Sequence, residues 1–415
     1  MSVESAESPS ADLSPERLRP VLDLIVVAQD GDSSIIGRPD LNLFIAVPLP
    51  GGAFVSTLQE TGSLEEATTR ASELAGETVD GVDFLEGLLG AGLFDEAVTQ
   101  AVQQDGQRPA TRWFEGISQP VARRFFGRVA WLVYAAAALG SAVLIAVVPD
   151  VRPHYRNVWF LEDKALSSLV VAVLALALTA VHEAWHWLAG RAVGVPATFR
   201  ISRRGVFLVI ETDVSQLVTV PRRARSGVYL AGMAVDAVVL FAALVLQWVA
   251  LWTQAPDPWS RFLGAVVLLN VLGIGQQWAL VFLRSDVYAL LANVLGCHNL
   301  YRATWLSAKA RVHGLDAADR AEWQDIGAHD RHVARWFGLV YLAGCLMIGA
   351  FLAFWVLPYL AGMIRWLAPV LADGDVSSMP FWTAVVLLAY SGATWIAPPV
   401  LALRERGLRK RGVLL

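Results

Sequence analysis

The chain has 415 residues, 55% of them hydrophobic and only 17% charged, against roughly 25% charged for soluble domains, which excludes a wholly water-soluble protein. Two cysteines, Cys297 and Cys345, exclude both a disulfide framework and a four-cysteine zinc site, so any metal is expected to be held by histidine and carboxylate. The net charge of −4 hides an asymmetry: residues 1–110 hold 19 acidic and 5 basic side chains, and the remainder 28 basic and 18 acidic. The front of the chain therefore reads as a separate acidic domain, and no nucleic-acid partner is expected.

In chain order, residues 1–13 are polar and read as a disordered tail, with neither the basic start nor the apolar run of a signal peptide. The N-terminus is expected in the cytoplasm. Residues 14–110 form the acidic domain. LDLIVVA and LNLFIAV are strand-like, and AFVSTLQETG, SLEEATTRASELAG and TVDGVDFLEGLLGAGLF follow. Ser63 and either Thr78 or Asp80 are N-cap residues for the last two, with Gly76 as a stop between them. Strands followed by three short helices give a small α+β domain of winged-helix size.

After a linker over 111–128, residues 129–404 carry six apolar runs near the roughly 20 residues that a helix needs to cross a hydrocarbon core. They are Val129–Val148, Leu166–Leu188, Val228–Trp252, Phe262–Leu283, Trp336–Leu357 and Phe381–Leu403. Basic residues cluster in the second and fourth connections and in the tail 405–415, so the positive-inside rule places both termini and both connections in the cytoplasm. Pro398 and Pro399 are expected to kink or end the sixth helix.

The second connection differs in kind. ATFRI and VFLVIE are β-prone runs around the turn SRRG, which predicts a hairpin on the membrane face. The fourth, with LLANVL and NLYRATWLSAKARV, reads as amphipathic helix along the inner interface. His298, His313, His329 and His332 lie in this polar stretch and read as a solvated face.

The stretch VHEAWHWLAG, residues 181–190, carries the chemistry. On a helix His182 and His186 stand one turn apart on one face, so both rings reach one ion. Glu183 sits beside them, giving the H-E-x-x-H arrangement in which two imidazoles hold zinc and the glutamate takes a proton from the water that zinc activates. Ionisable residues inside a span are costly and point to function.

A catalytic zinc takes three protein ligands and leaves one position open. Candidates for the third are Glu211 and Asp213 in the hairpin, Asp236 in the third span, and Asp286 at the inner end of the fourth. Position favours Asp286, because the second and fourth spans run the same way and bring it to the depth of His182 and His186. The same residue also suits the N-cap of the helix that follows. Asn270, Gln276 and Gln277 lie in the fourth span, where they suit either substrate backbone and oxyanion contacts or interhelical packing.

HEAWH in an early span, a small-residue span containing AGMAVD, and RSDVYALL about a hundred residues later resemble the site-2 protease group of intramembrane zinc metallopeptidases. The resemblance covers about 166–302. It implies that Asp286 completes a zinc site with His182 and His186, as the aspartate of a D-G or D-x-Y motif with Tyr288 following. It maps a G-P-x-x-N motif onto Gly232 to Asp236, where methionine replaces the proline and aspartate the asparagine. Asp236 then either supports a ligand from behind or competes to be one.

RSDVYALLANVLGCHNLYRA is more similar to the peptide zinc metalloprotease branch, which occurs near genes for ribosomally made peptides. The front domain resembles PqqD-like winged-helix modules that bind leader peptides, which implies capture of a peptide as an added strand. Together these imply a zinc-dependent endopeptidase of a bacterial inner membrane, with Glu183 as general base and the lipid bilayer and a peptide as partners. Cleavage needs an extended substrate, and Ala197–Glu211 is expected to hold it as an added strand. A non-catalytic scaffold, receptor or export component with the protease fold is the alternative, and the intact Glu183 argues against it.

Overall fold

The computed structural model describes residues 15–41, 43–94, 117–204, 207–254 and 256–410. The tail expected over 1–13, the end of the acidic domain and the linker as far as 116 lie outside them. The chain divides into two compact units, one of residues 1–115 with Ser215–Arg225, the other of 116–214 with 226–415.

In the first unit, α1 (Pro15–Leu22) leads into an antiparallel meander of β1 (Val26–Asp30), β2 (Ser33–Arg38) and β3 (Leu43–Pro48). Val26 pairs with Gly37, and Ser33 with Pro48. The sheet has one strand more than expected. SSIIGR carries only two apolar side chains, yet it is the central strand and its residues from Ser34 to Arg38 are all buried. Gly37 lies under the ring of Phe44, where a Cβ would come within 2.1 Å of Cδ1. Arg38 is fully buried and is satisfied by both carboxylate oxygens of Asp40 and by the Leu93 carbonyl, as a buried charge requires.

Three helices close the unit: α2 (Leu49–Thr61), α3 (Leu64–Ala75) and α4 (Gly81–Gly90). The Ser63 hydroxyl accepts from the Glu66 N–H, Gly76 ends α3 at φ +71°, and Asp80, not Thr78, caps α4 by accepting from the N–H groups of Val82 and Asp83. Ile36, Phe54, Val55, Leu58 and Leu85 form the core between helices and sheet.

The second unit is mainly helical. After α5 (Gln119–Arg124) come α6 (Arg128–Val147), α7 (Lys164–Val193), α8 (Arg222–Trp252) and α9 (Asp257–Ala279). The first four residues of α8 belong to the first unit. Beyond α9 stand α10 (Asp286–Leu295), α11 (Leu300–Val312), α12 (Ala317–Asp325) and α13 (Ala328–Phe351), which share a core of Tyr288, Leu300, Leu306, Val333 and Phe337. The fourth connection is thus helical, as expected, and folded on itself.

A π-turn over Leu352–Val356 joins α13 to α14 (Leu357–Asp373), and α15 (Met379–Lys410) ends the described chain. Five helices among the described residues are long and apolar enough to cross a membrane: α6, α7, α8, α9 and α13. A sixth is reached only if the halves of α15, Met379–Thr394 and Pro398–Arg404, bent by 41° at the expected prolines, count as one span. Residues 357–373, between the fifth and sixth apolar runs, form a helix that buries Met363 and Leu367 with Ala384 and Leu387. The basic tail starting at 405 continues α15 as far as Lys410.

Between α7 and α8, β4 (Thr198–Arg204) and β5 (Phe207–Asp213) make the expected hairpin, with Arg204 opposite Phe207 next to the turn. The hairpin packs on α7 and α15.

Candidate metal centre

The centre is built from residues of α7, α8 and the start of α10 that lie within the second unit. His182 and His186 are buried on one face of α7, their rings 4.9 Å apart. Nδ1 of His182 lies 2.7 Å from Oδ2 of Asp236 on α8. Nδ1 of His186 lies 2.9 Å from the Val228 carbonyl of the same helix. A carboxylate and a carbonyl both accept, so each neutral ring carries its proton on Nδ1 and turns an Nε2 lone pair inward.

The third element delivers Asp286. Its Oδ2 stands 3.0 Å from Nε2 of His182 and 3.1 Å from Nε2 of His186, and the two nitrogens are 3.2 Å apart. Two nitrogen lone pairs and an anionic oxygen therefore face one point. A tetrahedral zinc with bonds of about 2.0–2.1 Å separates its ligand atoms by about 3.3 Å, so the three residues fit that ion in both chemistry and spacing.

Local sequence explains how Asp286 is spared for this. Ser285, not Asp286, caps α10: its hydroxyl accepts from the Tyr288 N–H at 3.3 Å and donates to the Gln277 carbonyl at 2.8 Å. The Asp286 N–H donates to Oε1 of Gln277 at 3.1 Å. Just before them Arg284 takes the left-handed conformation at φ +59°, unusual without glycine. Its guanidinium carbon lies 4.0 Å from the centre of the Tyr301 ring, a cation–π contact that anchors the strained residue.

Gly232 lets α8 approach. A Cβ there would fall 2.3 Å from Nε2 of His182, so a larger residue displaces the imidazole. Glu183 is held from the hairpin: its Oε2 accepts from the Thr212 N–H at 2.7 Å, and its backbone carbonyl accepts from the Thr212 hydroxyl at 2.9 Å. That N–H of β5 points out of the hairpin towards α7.

A cavity of about 600 Å³ opens onto the centre, lined by His182, Glu183, His186, Asp236 and Asp286 together with Leu176, Leu269, Leu272, Gln276 and Glu211. Of the rival ligands, Glu211 borders the cavity and Asp236 stands behind His182, but neither joins the converging trio. Asp213 does not line the cavity.

The polar residues of α9 divide by role. Asn270 donates to the Val266 carbonyl of its own helix at 2.9 Å, and Gln277 holds the Asp286 turn. Gln276 lines the cavity with no side-chain partner among the described residues. Tyr288, a candidate support or substrate contact in the sequence, packs edge-on to Tyr301 in the core of α10, α11 and α13 and does not line the cavity.

Sequence reasoning missed Thr212, Ser285 and the Val228 carbonyl as supports, and only the serine left a signal, in the S-D pair that opens a helix. The chain matches no family model, no curated protein and no solved structure.

Proposed function

We propose that this chain is a zinc-dependent membrane endopeptidase that hydrolyses a peptide bond of a membrane-associated or ribosomally made peptide near the cytoplasmic face. One observation carries the reading: three ligand atoms of His182, His186 and Asp286 meet within 3.2 Å, and the neighbouring Glu183 borders the same cavity. In this reading the chain has six spans with both termini cytoplasmic, and the front unit is a winged-helix-like module that captures a leader peptide along β1 or β3, the edges of its sheet.

His182, His186 and Asp286 would hold the ion, while Asp236 and the Val228 carbonyl keep both rings in the ligating tautomer. Bound zinc supplies Lewis acidity that polarises the scissile carbonyl and acidifies a water molecule. Glu183 takes the proton of the attacking water and delivers it to the leaving amine. Thr212 engages Oε2 of that carboxylate and leaves Oε1 as the proton acceptor. Gln276 donates to the backbone of an extended substrate. Leu176, Leu269 and Leu272 give the cavity an apolar wall that excludes bulk water.

The test compares wild type with Glu183→Gln, each expressed in its host and purified in detergent. One zinc per chain in both, with an uncut peptide retained only by the variant and found by mass spectrometry, supports the reading. Wild-type protein that takes up no zinc in its presence overturns it, and zinc without any retained peptide favours the scaffold.

A further inference from the structure

We propose a second cation site, of zinc class, formed by Cys297, His329 and Asp330 in the α10–α13 cluster. Each offers one ligand atom, and the three atoms lie within 4.8 Å of one another. The residues come from two places that the fold fixes independently. Cys297 follows the left-handed Gly296 at the end of α10, with its N–H bonded to the Ala292 carbonyl at 2.9 Å. His329 and Asp330 occupy the first turn of α13, after the Gly327 cap.

The surroundings prepare the donors. Nε2 of His329 lies 2.7 Å from the Leu295 carbonyl; that oxygen only accepts, so the neutral ring keeps its lone pair on Nδ1. Asp330 is buried and accepts the N–H groups of His298 at 3.1 Å and Asn299 at 2.6 Å through Oδ2. Those bonds fix the carboxylate, and a carboxylate has lone pairs to spare for a cation. Zinc needs its ligands about 3.3–3.8 Å apart; His329, exposed at the surface, is the residue able to close the gap. A thiolate, an imidazole and a carboxylate together select a borderline-soft divalent ion, and the exposed side leaves room for water.

This departs from the sequence-based expectation that every metal ligand would be histidine or carboxylate, and it gives the exposed His329 a second role. It also concerns the helix that carries the candidate centre. Asp286 opens α10 and Cys297 follows its end, so a cation here would pin the far end of a ten-residue helix, about 15 Å long.

Sulfur makes the test independent of the centre at His182, which contains none. Full-length protein in detergent, in a Cys345→Ser background, is titrated with cobalt(II) and followed by the near-ultraviolet thiolate-to-cobalt charge-transfer band. The expected result is a band that saturates at one cobalt per chain, disappears in Cys297→Ser, and needs at least about tenfold more cobalt in His329→Gln and in Asp330→Asn, as loss of a ligand demands. Asparagine keeps the acceptor for His298 and Asn299, so Asp330→Asn separates capping from ligation. Absence of the band, its persistence in Cys297→Ser, or unchanged affinity in either of the other variants overturns the site.

Discussion

Asp236 and His182 meet on the outer side of the imidazole: the carboxylate lies 2.7 Å from Nδ1, while Nε2 faces Asp286. The aspartate of α8 is thereby placed behind the candidate ligand His182. Asp236→Ala is expected to weaken zinc binding by about 10–100-fold and still reach one zinc per chain at saturation. Asp286→Ala is expected not to saturate. Competition with a chelator of known affinity measures both, and complete loss of metal in Asp236→Ala would make it a ligand instead.

Gly232 supplies a sharper geometric test. Adding one methyl group puts a carbon 2.3 Å from Nε2 of His182, so Gly232→Ala should force the ring away, at a cost of about 1–3 kcal/mol in stability. Zinc affinity should fall in the same variant. A variant that melts and binds zinc as wild type does would mean that α8 can yield at this point.

The turn before α10 is predicted to tune the centre without touching it. Ser285→Ala removes the cap on Tyr288 and the bond to the Gln277 carbonyl, at about 1 kcal/mol of local stability. Amide exchange across 286–290 should speed up and zinc should dissociate faster. Exchange rates unchanged from wild type would show that the turn is held by other contacts.

Thr212 tests the coupling of hairpin and general base. Deleting 197–213 with a short glycine bridge should leave one zinc per chain, because none of the three ligands is removed, and should abolish cleavage of the peptide trapped by Glu183→Gln. Unchanged turnover would remove the hairpin from the mechanism.

In the first unit, the buried Asp30 pairs with Arg222 at 2.5 Å and Arg225 at 3.0 Å. Burial alone would raise its carboxyl, but hydrogen bonds from Arg222 and Arg225 outweigh that and hold it below the ordinary aspartate value. A lowered value stabilises the fold fully above about pH 3.9 and ceases to do so as the pH falls through the lowered value. Hydrogen exchange in 26–48 should therefore quicken on acidification below about pH 4, and in Asp30→Ala already at neutral pH. A pH profile identical in wild type and variant would assign the acid sensitivity elsewhere.

Much of this was legible in residue order, for identifiable reasons. Long apolar runs and the H-E-x-x-H spacing report helix and face directly, and Ser63 and Gly76 mark their helix ends by local chemistry alone. SSIIGR was hidden because a central strand buried on both faces need not alternate, and here serine, glycine and arginine fill it. Residues 357–373 were hidden because an arginine and a proline broke the apolar run that a buried helical face still uses. At the centre, the candidate ligands His182 and His186 are legible by spacing, whereas the Thr212 N–H and the Val228 carbonyl are backbone groups that nearly every residue possesses. Asp286 stood open between cap and candidate ligand in residue order, and the Ser285 hydroxyl takes the cap.

The donors at His182, His186 and Asp286 are two ring nitrogens and a carboxylate oxygen, with no sulfur among them. Mild oxidants act on thiols and thioethers and find nothing to modify in this ligand set. A metal held by such a set would be indifferent to redox conditions, and peroxide that consumes both cysteines of the chain should leave its three donors chemically unchanged.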